Sequence, residues 1–197
     1  MSDLAPIGTA TEANGWSIYG PAVRGRKCGT CRSCCTIVPA ELPYGHKPAN
    51  VRCKHLKSRG CGIYDHRPQC CVYWSCRWLM DETTAGLRRP DQSGYIIDAM
   101  PDTILADDRG VPVVQIWVDP DHRDAHHDPA LRAWLVEVYR RYRYVAIIRW
   151  GSSKGILLVP PEASNTGDWL ELGEQTTLLS RDDMQAKLDA AGVQRMW

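Results

Sequence analysis

The chain has 197 residues, 24 Lys+Arg against 23 Asp+Glu, 44% hydrophobic residues and nine cysteines. Its near-zero net charge excludes a polyelectrolyte that binds by overall charge, and no apolar run approaches the roughly 20 residues that a membrane-spanning helix needs. The neutral total hides a polarity, because residues 23–79 carry eleven basic residues against Glu41 and Asp65, a formal +9, whereas residues 80–197 amount to −6.

The first residues, MSDLAPIGTATEANGW, show no basic n-region and no apolar h-region. They set the expectation of a cytoplasmic protein without a secretory signal. Residues 1–22 read as a flexible tail in which Trp16 and Tyr19 are the bulky groups. Residues 23–93 form a cysteine-rich lobe that is poor in aliphatic side chains and rich in Gly, Pro, Arg and Lys. A segment of that composition cannot offset its chain entropy by burial alone, whereas a structural metal bound by thiolates supplies about 10–16 kcal/mol. Within the lobe, Pro68 suits the first position of a helix that runs on through QCCVYWSCRWLM and puts Cys70 in its first turn.

From residue 94 to 197 the pattern becomes that of an α+β domain. Tyr95–Ile97 and Thr103–Leu105 read as short strands, Asp107–Gly110 as a turn, and Val113–Val118 as a β-rich apolar strand. Asp128 and Pro129 start a helix. Its apolar set, Leu131, Trp134, Leu135, Val138, Tyr139 and Tyr142, recurs at i, i+3, i+4, i+7, i+8 and i+11. Val145–Trp150 and Ile156–Val159 form a hairpin around Gly151-Ser-Ser-Lys-Gly155, which lacks the order of a Walker loop. A further strand is expected over Trp169–Leu172, and a last helix from the Ser180/Asp183 capping box to Gly192.

All nine cysteines lie between Cys28 and Cys76. In a reducing compartment such thiols are metal ligands rather than disulfides, and an odd count without an export signal fits that reading. Cys28, Cys31 and Cys34 follow Cys-x2-Cys-x2-Cys spacing, which brings three sulfurs round one centre on a tight loop and also opens the bacterial ferredoxin run. Zinc ribbons use separated Cys-x2-Cys pairs, and no second pair occurs here. Cys35, Cys53, Cys61, Cys70, Cys71 and Cys76 follow.

Cys28-Gly-Thr-Cys31-Arg-Ser-Cys34-Cys35, then Cys53-Lys-His-Leu56, Cys61-Gly-Ile-Tyr64 with Arg67-Pro68 and Cys70, and Cys76-Arg-Trp-Leu79 resemble the YkgJ-like cysteine-cluster family, a zinc- or iron-chelating domain with the hallmark CxxCxxCC. The resemblance extends through Arg89-Pro-Asp-Gln-Ser-Gly94. It implies eight metal ligands, Cys28, Cys31, Cys34, Cys35, Cys53, Cys61, Cys70 and Cys76. Cys71 departs from the pattern and reads as a spare thiol. Relatives of the domain occur in a flagellin lysine methylase linked to an iron–sulfur cluster.

Eight thiolates suit two four-sulfur zinc sites, or one cubane with four thiols left for another metal. The triple spacing favours the iron–sulfur cluster, and zinc is the alternative cofactor. Arg24, Arg26, Lys27, Arg32, Arg52, Lys54, Lys57 and Arg59, with Tyr44, Tyr64 and Trp74, read first as compensation for thiolate charge. The alternative is a basic face for a protein or nucleic-acid partner. His55 and His66 are redundant beside eight cysteines. His122, His126 and His127 are bracketed by Pro120 and Pro129 and are expected on an exposed polar loop. Trp74 and Trp78 flank Cys76 and are expected to shield the centre from water. The sequence has no nucleophile elbow, dinucleotide fingerprint or His-Glu-x-x-His pair, so any enzyme activity belongs to the metal centre. The expected fold class is therefore α+β: a mostly irregular metal lobe packed on a small mixed domain. Its expected role is electron transfer or cluster-dependent modification of a protein partner.

Overall fold

The structure is a computed structural model and describes residues 22–58, 60–106 and 109–177. From Ala22 to Ser93 the described elements are short: α1 (Ser33–Thr36), β1 (Ala40–Leu42), β2 (Gly45–Lys47), β3 (Leu56–Lys57), β4 (Gly60–Cys61), α2 (Gln69–Tyr73), α3 (Arg77–Met80) and α4 (Pro90–Ser93). β1 pairs with β2 and β3 with β4, both antiparallel. With so few aliphatic groups, the segment is tied together by cations that donate to its carbonyls. Arg26 Nη1 reaches Trp78 O, Asp81 O (3.0 Å) and Thr84 Oγ1 (2.7 Å). Arg32 donates to Ser58 O, and Arg52 to Leu56 O at 3.1 Å.

The single helix expected after Pro68 is two. α2 starts there with Cys70 in its first turn, but Trp74 turns extended (φ −84°, ψ 134°) and α3 begins only at Arg77. The break lets the Trp74 indole donate to Asp98 Oδ1 at 2.9 Å, a bond that a continuous helix would forgo.

The rest is built on one five-stranded sheet, with β5 (Tyr95–Ala106), β6 (Arg109–Val118), β7 (Val145–Arg149), β8 (Lys154–Val159) and β9 (Leu170–Thr177) in that spatial order. The two short strands expected over 95–105 are one strand. Its register slips between Ile97 and Pro101, where proline has no N–H to give to the ladder. Asp107 and Asp108 of the expected turn lie outside the described residues, as do residues 1–21 and the helix expected over 180–192. β6 and β7 are parallel, joined through α5 (Pro129–Tyr142). The Asp128 carboxylate caps α5 by accepting from Ala130 N at 2.9 Å, and the helix ends at Arg143 in the left-handed region. The β7–β8 hairpin forms as expected, and the strand expected at 169–172 runs longer, as β9.

Strand alternation sends successive side chains to opposite faces. Tyr95, Ile97, Val114, Ile116, Val118, Ala146 and Ile148 pack with Leu131, Trp134, Leu135 and Val138 of α5. Ile96 and Trp117 face the other way and meet Ile37, Val38, Trp74 and Cys76 of the cysteine-rich segment. Trp78 and Leu87 of the same segment pack on the α5 side. The segment therefore straddles the β5 edge of the sheet and covers a strand edge that would otherwise be open to pairing. The protein is α+β. Among the described residues no helix is long and apolar enough to cross a membrane.

Candidate metal centre

Short turns set the positions of the sulfurs. Cys31 N donates to Cys28 O at 2.8 Å across Gly29, whose φ of +53° suits glycine, and Cys35 N donates to Arg32 O at 2.9 Å as α1 begins. Cys53 N donates to Cys35 O at 2.8 Å, which lays a distant stretch of chain beside the loop. Cys61 stands on β4 opposite Leu56. Cys70 and Cys71 lie in α2, their sulfurs 3.8 Å apart. Cys76 precedes α3 and packs against the cluster around Ile96 and Trp117.

Electrostatic coupling links eight of the nine thiols in two overlapping sets that Cys35 joins. Burial raises Cys28, and so do Cys31 and Cys35. Cys34 is held well above the usual thiol range by its hydrogen bond to Cys35 and by dehydration, with Cys28 and Cys76 also near. Burial pushes Cys76 up to about 12, with Cys28 and Cys31 adding repulsion. Cys28, Cys31, Cys34 and Cys76 thus share one surrounding. In the second group, burial raises Cys71 to about 12, followed by Cys70, Cys35 and Cys53. Cys35 falls to about 7, because Cys34 donates a hydrogen bond to it and Lys47, Arg67 and Arg32 favour its thiolate. Cys35, Cys53, Cys70 and Cys71 lie around Lys47 and Tyr44. Among the described residues no three cysteine sulfurs lie within 4.8 Å of one another.

Three cations beside the sulfurs were not among those that the sequence singled out. Lys47 is buried, with Nζ donating to Val51 O (3.0 Å) and Pro48 O (3.2 Å), and its charge acts on Cys53, Cys35, Cys34 and Cys71. Burial lowers its pKa, which the thiolates counter. Arg67 lies over the Tyr64 ring at 3.8 Å and acts on Cys28 and Cys35. Arg89 bridges to the opening loop through Thr30 Oγ1 (3.1 Å) and Cys28 O (3.4 Å) while paired with Asp91. β2 is exposed at Gly45 and His46 and buried at Lys47, which no local sequence pattern indicates. Arg89 was visible only as part of the Arg-Pro-Asp match. Of the expected basic face, Arg26, Arg32 and Arg52 are committed to carbonyls, and Lys54 sits over Tyr44 at 3.5 Å.

Trp74 and Cys76 both pack against the cluster around Ile96 and Trp117, whereas Trp78 turns to the α5 side and donates to Leu87 O at 3.1 Å. His55 stacks edge-on with Tyr44, at 5.2 Å between ring centroids. His122 and His127 lie exposed on their loop as expected, but His126 is buried, because Trp150 and the turn around it close over the ring. His126 and His127 also meet Glu171, a partner 44 residues away that no local pattern indicates. Burial and the neighbouring His127 lower the pKa of His126. Comparison with family models, with curated proteins and with solved structures finds no match to this chain.

Proposed function

We propose that residues 28–76 form the thiolate metal centre of a redox protein, in which Cys28, Cys31, Cys34 and Cys76 hold an iron–sulfur cluster. The Cys28-x2-Cys31-x2-Cys34 loop carries this reading, because the same spacing opens the bacterial ferredoxin run. Cys28, Cys31 and Cys34 come from one loop and Cys76 from the start of α3, and Cys28 acts on both Cys34 and Cys76. When bound, an iron–sulfur cluster supplies one-electron chemistry.

The chain's own contribution is to place the ligands, to offset their charge with Arg67 and Arg89, and to exclude water around Cys76 with Trp74. The second group, Cys35, Cys53, Cys70 and Cys71, suits zinc, because two thiolates on one tetrahedral zinc, each at about 2.3 Å, stand about 3.8 Å apart, and the Cys70–Cys71 separation is 3.8 Å. This reading gives Cys71 a ligand role in place of Cys61, which the family resemblance includes. The same CxxCxxCC resemblance supports a metal-chelating role for the window as a whole.

The role that follows is electron transfer to a protein partner, or cluster-dependent modification of one, in a reducing compartment such as the cytoplasm. Tyr44, Val51, Tyr64 and Tyr73 supply a contact surface, since they are exposed and all lie on the cysteine-rich segment. A nucleic-acid partner is the weaker reading, because so many cations are tied to backbone carbonyls. Protein purified without oxygen is expected to be brown, with a visible band that bleaches on addition of dithionite. Colourless protein that is indifferent to dithionite would sink the redox reading and leave zinc at both groups.

A further inference from the structure

Between β6 and α5 the chain makes a 3-10 turn, Ala125–His127, that packs towards β9. Gly94 sets its place: Asp119 N donates to Gly94 O at 2.9 Å, and a Cβ on Gly94 would stand 2.7 Å from His122 Cβ and 3.2 Å from Ala125 Cβ. The turn buries the His126 side chain to 4% exposure and leaves His127 and Glu171 partly open to solvent.

His126 Nδ1 lies 3.2 Å from Arg123 O. A carbonyl oxygen only accepts, so Nδ1 carries the hydrogen, and in the neutral ring Nε2 presents its lone pair. Trp150 Nε1 donates to the same carbonyl at 3.0 Å, and its ring meets His126 edge-on at 5.2 Å, which fixes the imidazole. Nε2 then faces Glu171 Oε1 at 3.6 Å, one acceptor against another inside a mostly buried wall. His127 Nε2 comes to 2.8 Å from the same oxygen. Arg132, resting on Trp169, donates to that oxygen at 3.0 Å and orients the carboxylate. A buried lone pair opposed to a carboxylate is costly unless a cation lies between them. A ligating histidine normally gives its other N–H to a backbone carbonyl, as His126 does here.

We propose that His126, His127 and Glu171 form a mononuclear site for a divalent transition ion, zinc or ferrous iron, with nitrogen and oxygen ligands only and separate from the thiolates. The three ligand atoms lie within 4.8 Å of one another. On a tetrahedral ion with bonds of about 2.0–2.1 Å, two ligands stand about 3.3 Å apart. The His126–Glu171 separation of 3.6 Å is close to that, and the half-exposed His127 ring has only to draw back by about half an ångström. Two imidazoles and one carboxylate leave a coordination position for water or a substrate, as in hydrolytic zinc and non-haem iron sites and unlike a closed structural site. The site is tied to the cysteine-rich segment, because Asn50 Nδ2 donates to Trp150 O at 2.6 Å.

Cobalt(II) is the probe, since its spectrum separates ligand types. Full-length protein is titrated anaerobically beside His127→Ala and Glu171→Gln, two changes at partly exposed side chains that leave the buried His126 in place. Circular dichroism checks that each variant is folded. The wild type should take up one more equivalent of cobalt than either variant. The difference spectrum should show weak visible ligand-field bands without sulfur-to-cobalt charge transfer, and each variant should bind that equivalent at least tenfold more weakly. Equal uptake by wild type and both folded variants would overturn the site, leaving only an ion-pair cluster on Glu171. A difference spectrum dominated by sulfur-to-cobalt charge transfer would overturn it too. Neither result bears on the thiolate centre, whose charge-transfer bands are read in the same titration.

Discussion

The Trp74 indole donates to Asp98 Oδ1 at 2.9 Å, joining the cysteine-rich segment to β5, the edge strand of the sheet. The other carboxylate oxygen accepts from Trp117 Nε1 at 3.2 Å, and Arg77 reaches the neighbouring Ala99 O at 3.4 Å. Asp98 is buried, so this joint is a charge held by two aromatic donors where water is excluded. Asp98→Asn puts an amide NH2 where one indole needs an acceptor. It should cost about 1–3 kcal/mol in urea unfolding. An unchanged midpoint would show that the joint contributes nothing.

Cys71 and Cys61 separate the coupling pattern from the family pattern. Cys71→Ser should lower the metal bound per chain, because Cys71 shares its surroundings with Cys35, Cys53 and Cys70. Cys61→Ser should leave that group loaded. Elemental analysis of the two variants decides, and metal loss in Cys61→Ser with none in Cys71→Ser would restore the assignment that the resemblance implies.

Lys47→Met removes the buried cation beside the second group. Without it Cys35 ionises less readily, and because metal uptake requires thiolates, loading should begin at higher pH than in the wild type. Zinc retention followed from pH 5 to 8 against a fixed chelator reads the shift. Superimposed curves would remove Lys47 from any electrostatic role.

Metal-free protein should lose stability in alkali. Cys71 and Cys76 are raised from 9.0 to about 12 in the fold, chiefly by burial, so the unfolded chain gives up these protons first. Their contribution is complete below about pH 9 and is lost as pH rises towards 12. The urea midpoint of the metal-free protein should fall through that window, and it should fall less in Cys76→Ala, compared with its own value at pH 8.

The α5 cap gives a control on the far side of the sheet. Asp128→Ala removes the acceptor for Ala130 N and the partner of Arg88. It should cost about 0.5–2 kcal/mol in urea unfolding while leaving metal content unchanged. Loss of metal in this variant would mean that the thiolates are coupled to α5 through Trp78, Leu87 and Arg88 of the cysteine-rich segment.

Much of the sheet domain was legible because its patterns are local. The α5 stripe and the Asp128-Pro129 start need only neighbouring residues, as does the β7–β8 hairpin. The joining of two short strands into β5 was missed because Pro101 breaks the local signal while the β6 partner carries the strand across it. The helix break at Trp74 was missed because its cause, Asp98, lies 24 residues away. The same limit applies to the sites. The CxxCxxCC loop announces itself by spacing, whereas Lys47 among the sulfurs and Glu171 beside His126 are brought there by strand pairing and by the chain returning to the sheet.

The most direct measurement is a count of iron, acid-labile sulfide and zinc per chain on a single anaerobically purified sample. The account predicts iron and sulfide in equal amounts, with zinc present besides. Zinc without sulfide would contradict the cluster and make the cysteine window a structural metal site.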